Sequence, residues 1–420
     1  MTLKPNNYMP RLIDKKIEDL LQVSGAISIE GPKWCGKTFT SLNHASSVIN
    51  MDDEETRSRF MLNPELVLNE SKPELIDEWT REPTVWDKIR RKCDLLETKG
   101  NYILSCSTSL LDENKIFHSG AGRISRLKMN TMSLFESNDS SGDISIMDMY
   151  EGREIVKTVK KISLEELANL IIRGGWPANI NVAKDKYGLM PKYYINSILE
   201  KDIYESKNVD SVKMQKLLKS LARNESTVVS NNKLIKDISD NDDLNIDKRT
   251  VSDYIEILEK LNLFSNQLSY STNYRSPERV GKNVKRHFTD PSLAAALLNM
   301  NANKLIADLK TFGFLFEALV ERDLKIYMDY LDGNLYHFRD NVTGLEVDSI
   351  LEFPDGEYAA VEIKLGFNQF NEACDSLLKF QDNVTKKPKF MCVICGYNEN
   401  IVKDLETGIY IVPITALKPE

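Results

Sequence analysis

The sequence predicts an α/β protein founded on a parallel sheet, and three observations carry that expectation. Short apolar runs alternate with helical patterns through residues 1–140, among them Ala26-Ile27-Ser28-Ile29, Val48-Ile49 and Tyr102-Ile103-Leu104, as in sheets whose strands are joined by helices. The first run leads straight into Gly31-Pro32-Lys33-Trp34-Cys35-Gly36-Lys37-Thr38, and a helix-like segment, Phe39–Ala45, follows; strand, glycine-rich turn and helix in that order make a phosphate-binding loop. Far downstream, two strand-like segments flank the turn Pro354-Asp355-Gly356, so a second, smaller α/β region closes the chain.

A chain of 420 residues is too long for one compact core, and pattern separates four regions. Residues 1–140 are the sheet region, ending at the loop-like Ser137–Gly142. Residues 141–210 are mainly helical and are broken at Gly174-Gly175-Trp176-Pro177. Residues 211–290 read as three helices and a hairpin: Met214–Arg223, Lys233–Ile238, then Asp247–Leu261 with Val251, Tyr254, Ile255, Leu258 and Leu261 at helical spacing. Strand-like Leu263–Tyr270 and Lys285–Thr289 complete it. Residues 291–420 begin helical and turn strand-rich from Leu335.

Composition narrows the function classes. With 28% charged and 41% hydrophobic residues the chain is that of an ordinary folded protein. No apolar run reaches the 18 or so residues a membrane span needs, and Met1–Asp14 lacks the apolar core of a secretion signal. The six cysteines are scattered, with no disulfide framework. Cytoplasm is the expected compartment. A net charge of −8 rules out a surface that coats nucleic acid everywhere, so any such binding needs a local basic patch.

In the phosphate-binding pattern, the glycines let backbone N–H groups close around phosphate at a helix N-terminus. Lys37 is expected to reach the β- and γ-phosphates of ATP, and Thr38 to hold Mg2+. Leu75-Ile76-Asp77-Glu78 supplies the acids a hydrolysing site requires: Asp77 for the metal, Glu78 to polarise the attacking water. The strand Tyr102–Ser107 ends in hydroxyls, and either Ser105 or Ser107 senses the γ-phosphate or else satisfies loop backbone. Arg123 and Arg126, presented after Gly120-Ala121-Gly122, read either as fingers on transition-state charge, in cis or in trans, or as surface cations.

Taken together, Gly31–Thr38, Leu75–Trp79, Ile103–Ser107, Gly120–Ile124 and Met132-Ser133-Leu134-Phe135-Glu136 resemble the bacterial and archaeal AAA-type ATPases that carry a C-terminal domain of unknown function. The likeness spans nearly the whole chain. It implies homo-oligomer formation, and it makes Gly174–Pro177 similar to the Gly-x-Pro lid element that lies near the nucleotide base. One departure is Ser105-Cys106-Ser107, where the family has Thr-Gly-Ser.

Three helices and a hairpin form the winged-helix pattern. DNA or RNA would meet the third helix, Asp247-Lys248-Arg249-Thr250 with Ser252, and a wing bearing Arg275, Arg279, Lys282, Lys285 and Arg286. The same pattern also serves protein contacts.

Around the downstream turn, Glu346–Phe353 and Ala359–Leu365 read as paired strands. Glu362 and Lys364 share a face, and an odd-numbered loop would set Asp348 opposite Glu362. Two carboxylates can hold a divalent metal while the lysine activates water for phosphodiester attack. Asp348…Glu362-x-Lys364 resembles the signature of the restriction-endonuclease-like superfamily, with Glu317 in the place of its helical acid; Glu317 is otherwise a surface residue beside the stripe Phe312, Leu315, Phe316, Leu319. The rival expectation is an ATP-dependent switch that works through protein partners on an inactive nuclease-like scaffold. Cys392-Val393-Ile394-Cys395 lies in a buried-strand pattern without a second ligand pair, and the four histidines form no cluster, so a zinc site is not expected.

Overall fold

The computed structural model describes residues 2–96, 98–107, 118–203, 209–239, 246–273, 275, 276, 279, 284–340 and 343–420, with only the backbone described at 201–203 and Phe367. Lys282, expected on the wing, lies outside the described residues. The chain divides into two compact units, residues 1–131 with 257–263, and residues 132–256 with 264–420.

The first unit runs α1 (Ile13–Val23), β1 (Ala26–Glu30), α2 (Lys37–His44), β2 (Ser47–Asn50), α3 (Glu54–Leu62), β3 (Glu74–Asp77), α4 (Thr84–Leu95), β4 (Tyr102–Cys106) and β5 (Ile124–Lys128). All five strands are parallel, in the order β2-β3-β4-β1-β5. Period-2 alternation sends Ile27, Ile29 and Ile103 into one core with Ile17 and Leu75, and Ala26, Tyr102 and Leu104 into another with Phe60, Trp79 and Trp86. A parallel sheet is buried on both faces, which is why its strands read as continuous apolar runs. The order has a chemical consequence. Strand β4 stands between the strand that feeds the glycine-rich loop and the strand that ends in the acid pair, so Ser105 is level with both Ile29 and Asp77.

The second unit opens with β6 (Ile144–Ser145), α5 (Ile146–Tyr150), β7 (Val156–Thr158), α6 (Leu164–Arg173) and α7 (Leu189–Ser197). It continues with α8 (Ser211–Arg223), β8 (Thr227–Val228), α9 (Asn231–Ser239), α10 (Lys248–Lys260, of which 257–260 count with the first unit), β9 (Phe264–Ser269) and β10 (Lys285–Phe288). After α11 (Pro291–Leu297), α12 (Ala302–Ala307) and α13 (Leu309–Tyr330) come β11 (Asn334–Arg339), β12 (Glu346–Glu352), β13 (Tyr358–Lys364), α14 (Phe370–Asn383), β14 (Phe390–Cys395), β15 (Asn400–Lys403), β16 (Tyr410–Pro413) and β17 (Leu417–Lys418).

Ten of these strands make one mixed sheet, β7-β15-β16-β14-β13-β12-β11-β9-β10-β8. Strands β12 and β13 form the anticipated antiparallel hairpin, and β13, β14 and β16 run parallel through the crossover helix α14. The apolar face of α14, Phe370, Ala373, Leu377 and Phe380, packs against Tyr358, Ala360, Val393 and Cys395. The sheet also crosses the expected boundary at 290: β9 pairs parallel with β11, Leu268 level with Tyr336 and Ser269 with His337. Such a pairing between strands some 65 residues apart leaves no trace in local periodicity. Among the described residues no helix is long and apolar enough to cross a membrane.

Candidate functional site

Two sites emerge, one in each unit. In the first unit, Gly31 leaves β1 so close to Met129 that a Cβ there would sit 2.2 Å from the Met129 carbonyl oxygen; no side chain fits. Gly36 caps α2 with φ 104°, and Trp34 holds φ 64° while half exposed. Left-handed backbone is free for glycine but costs a tryptophan about 1 kcal/mol or more. Lys37 is buried and donates to the carbonyls of Pro32 (2.8 Å) and Gly31 (3.0 Å), so its ammonium lies folded over the loop. Pro32 and Cys35 are buried and Lys33 is partly so.

The acid pair meets this loop. Thr38 Oγ1 donates to the Asp77 carboxylate at 3.2 and 3.3 Å, and Ser105 Oγ donates to the same carboxylate from β4. Burial pushes the Asp77 carboxyl above its ordinary range, and the Glu78 charge adds to that, against the two hydroxyls. Glu78 turns out of the strand with φ 52° and accepts from Ser107 Oγ at 2.7 Å. Consecutive strand residues point to opposite faces; the left-handed turn brings Glu78 round to hydroxyls on the same strand end as Asp77. A hydroxyl and a carboxylate are the hard oxygen donors that suit Mg2+, and Thr38 with Asp77 supplies both.

Arg123 and Arg126 do not join this constellation within one chain. Arg123 precedes Ile124, which is level with Ala26, whereas the loop begins after Glu30. Five to six residues at about 3.3 Å each put Arg123 roughly 17–20 Å along the sheet from the loop. Its guanidinium pairs instead with Asp94 (2.6 Å). Arg126, level with Ser28, lies over the Trp86 ring and 3.8 Å from Glu30. For Arg123 this placement does not suit a role in cis: glycine spacing says nothing about which end of a strand an arginine occupies.

Sequence reasoning missed Arg11. Buried, it donates to the carbonyls of Cys35 (2.8 Å), Asn130 (2.9 Å) and Thr131 (3.1 Å), tying the N-terminal segment and the end of β5 to the phosphate-binding loop. No motif announces it. Replacing Gly31 with Ala is expected to displace the loop, because backbone faces the new methyl group, and to weaken ATP binding at least tenfold in calorimetry.

The second site sits on the β12–β13 hairpin. Residues 353–357 form its odd-numbered connection, and Ser349 pairs with Val361, so Asp348 and Glu362 are opposed. Lys364 Nζ bridges them, 2.6 Å from Glu362 and 3.2 Å from Asp348. The Ile363 amide donates to Asp348 at 2.8 Å and Ser376 Oγ to Glu362 at 3.1 Å. Burial, then Asp348, pushes the Glu362 carboxyl up to about 8; burial alone would lower Lys364, but the two acids raise it. Asp348, Glu362, Lys364 and Ser376 line an open cleft of about 870 Å3. Ser376 had a readable signal: Glu372, Ser376, Lys379 and Asn383 fall at helical spacing on the cleft side of α14. Two oxygen-donor carboxylates fit a hard divalent cation, although no group of three metal-ligating side chains converges among the described residues.

Glu317 is half-buried and does not line the cleft; it is engaged by Lys285 instead. This lysine, expected to meet phosphate on the wing, points inward from β10 to Glu317 and, at 2.7 Å, to Glu321. Two other wing cations are also engaged: Arg286 by the Val229 carbonyl and Asn231, Arg279 by Glu352 at 2.9 Å and by the faces of Tyr270 and Tyr336. Arg275 is exposed, as are Lys248 and Arg249 at the start of α10. Cys392 and Cys395 lie in buried β14, where burial raises both thiols, Cys395 to about 12.

His287, one face-sharing position from Lys285, is held between Glu321 (3.0 Å) and Glu225 (3.2 Å). Burial alone would lower its pKa, but the two acids outweigh that and raise it from 6.5 to about 9. A raised histidine stabilises the fold fully below its unfolded pKa and loses that contribution as pH climbs through the folded value. Urea unfolding should therefore show stability falling between about pH 6.5 and pH 9, by on the order of 2–3 kcal/mol, and His287→Gln should flatten the fall.

Comparison with known proteins bears on the first unit. Residues 24–138 match an AAA domain, residues 164–304 a domain of unknown function (DUF8612) and residues 312–417 a second one (DUF4143). No curated protein matches the chain. Similar solved structures include the Walker-type ATPase of Pyrococcus abyssi, at 11% identity over 71% of this chain and 98% of that one with a TM-score of 0.44. Another is a signal transduction ATPase with numerous domains and a tetratricopeptide repeat sensor, from Pyrococcus horikoshii, at 11% identity over 79% and 54% with a TM-score of 0.22. The matched AAA domain contains both the glycine-rich loop and the acid pair, and the protein is an ATPase that carries an AAA domain ahead of two regions matching domains of unknown function.

Proposed function

We propose that this ATPase works through Lys37, Thr38, Asp77 and Glu78, and that its C-terminal half engages nucleic acid with a metal-dependent phosphodiester site at Asp348, Glu362 and Lys364. Contact of Thr38 and Ser105 with one Asp77 carboxylate, beside a loop covered by Lys37, carries the first part. In the reaction Lys37 leaves the loop carbonyls for the β- and γ-phosphate oxygens, for which its charge is better matched. Thr38 and Asp77 would hold Mg2+, which when bound neutralises phosphate charge. Ser105 orients Asp77, Ser107 orients Glu78, and Glu78 accepts the proton of the attacking water. Turnover of ATP should fall to background in Lys37→Ala; turnover within a few-fold of the unmodified protein would refute the assignment.

For the C-terminal half, the opposed carboxylates and bridging lysine in an open cleft are the supporting observation. The helices and hairpin of residues 211–290 read as a winged helix, and with Arg279, Lys285 and Arg286 engaged internally, phosphate contact falls to Lys248, Arg249 and Arg275. Anisotropy titrations of labelled DNA and RNA should show affinity falling steeply with salt, with a shallower slope in Lys248→Ala/Arg249→Ala. Plasmid nicking in Mg2+ or Mn2+ should vanish in Glu362→Ala. Salt-independent or absent binding, with no nicking by either protein, favours the second reading, a switch acting on protein partners, to which the internal use of the wing cations lends support.

A further inference from the structure

The ammonium of Lys285 has an unusual set of neighbours. Besides Glu317 and Glu321 Oε1 at 2.7 Å, it donates to the backbone carbonyl of Asp348 at 3.3 Å, and Ser349 Oγ approaches Glu321 Oε1 at 3.4 Å. All of its acceptors are oxygens, two of them carboxylates, and the side chains of Lys285, Glu317 and Glu321 are only 7%, 15% and 3% exposed. An all-oxygen, carboxylate-rich, buried pocket is the environment of a hard divalent cation. The lysine enters it from β10, within the segment 164–304, while both acids stand on α13, within the segment 312–417.

We propose that the Lys285 ammonium is the resident cation of the C-terminal acidic centre, occupying the oxygen-lined position between Glu317, Glu321 and the Asp348 carbonyl that a divalent metal would otherwise fill. The inference extends the reading of Asp348 and Glu362 as a metal site but rests on contacts of its own. It accounts for Glu317 being withdrawn from the cleft: that acid already has a cation, one bound covalently to the chain. A metal in the cleft would then be held by Asp348 and Glu362 alone. Taking Lys285 away leaves Glu317 without its counter-ion and Glu321 with His287 alone, a costly state, and a divalent ion is the natural replacement.

The test uses the full chain without nucleotide, in a Glu362→Ala background so that the cleft contributes nothing. The background protein should melt at the same temperature in EDTA and in MnCl2. Lys285→Met in that background should melt lower in EDTA and regain roughly 5 °C or more in MnCl2 at a hundredfold excess over its Kd. Adding Glu317→Gln should abolish the regain. Equal melting in EDTA and MnCl2, or a regain that survives Glu317→Gln, overturns the proposal. Should the Lys285→Met protein not fold in EDTA, recovery on refolding into MnCl2 supports the proposal and failure in both media overturns it. Plasmid nicking reports separately: its absence from every protein refutes the nuclease reading and leaves the melting result to stand by itself.

Discussion

Glu78→Gln is expected to bind ATP with little change in affinity and to hydrolyse it roughly 10^2–10^4 times more slowly. The asymmetry follows from the site. Glutamine is isosteric and its amide oxygen still accepts from Ser107, so the left-handed turn at residue 78 and the placement of Asp77 survive. What disappears is a group able to take a proton from water. Lys37, Thr38 and Asp77, the residues proposed to meet phosphate and metal, are untouched. Calorimetry with ATP and Mg2+ gives the affinity, and single-turnover hydrolysis gives the chemical step. Normal single-turnover rates would transfer the base role elsewhere. Ser107→Ala should show a milder loss, since it frees Glu78 to rotate without removing it.

How far this site was readable depends on how local each part is. The glycine-rich loop is eight consecutive residues whose flanks already show strand and helix, and the acid pair is two adjacent residues at a strand end. Both are legible because their chemistry and spacing sit in one short window. The role of Ser105 is not of that kind. It depends on β4 lying between β1 and β3, and parallel strand order is set by packing among distant segments. The arginines illustrate the same limit from the other side: Arg123 stands near glycines in sequence but at the far end of its strand.

Lys285 shows it more sharply. In a basic stretch a lysine reads as solvated, and a strand of four residues carries too little alternation to say which face is covered. The face bearing Lys285 and His287 meets the acids of α13, whereas Arg286 reaches Val229 and Asn231. The Asp348–Glu362–Lys364 face, by contrast, could be read because an odd turn fixes the register of a hairpin from sequence alone.

The largest stability effect is expected at Arg322. Its guanidinium is 3% exposed and bridges Asp290 (3.1 Å) and Asp323 (2.6 Å), both fully buried. Each acid does a second job. Asp290 caps α11 through the Ser292 amide and accepts from the Gly175 amide; Asp323 accepts from the Leu134 amide at 2.9 Å. Gly175 itself is confined, since a Cβ there would lie 2.0 Å from the Met132 carbonyl oxygen. One cation thus holds four segments of the second unit in place. Arg322→Met should cost about 3–5 kcal/mol in urea unfolding, because it strands two carboxylates rather than removing a favourable pair. Burial already pushes Asp323 up to about 6 despite Arg322. An acid with a raised folded pKa favours the fold while protonated and opposes it as pH rises through that value. The deficit of Arg322→Met should accordingly be smaller at pH 5 than at pH 8. The triple variant Arg322→Met/Asp290→Asn/Asp323→Asn should recover much of it, for neutral amides retain hydrogen-bonding capacity without a buried charge. A loss below about 1 kcal/mol in Arg322→Met would mean that water reaches these carboxylates, and that the tie between α11, α13 and the Gly174–Pro177 turn is carried by packing instead.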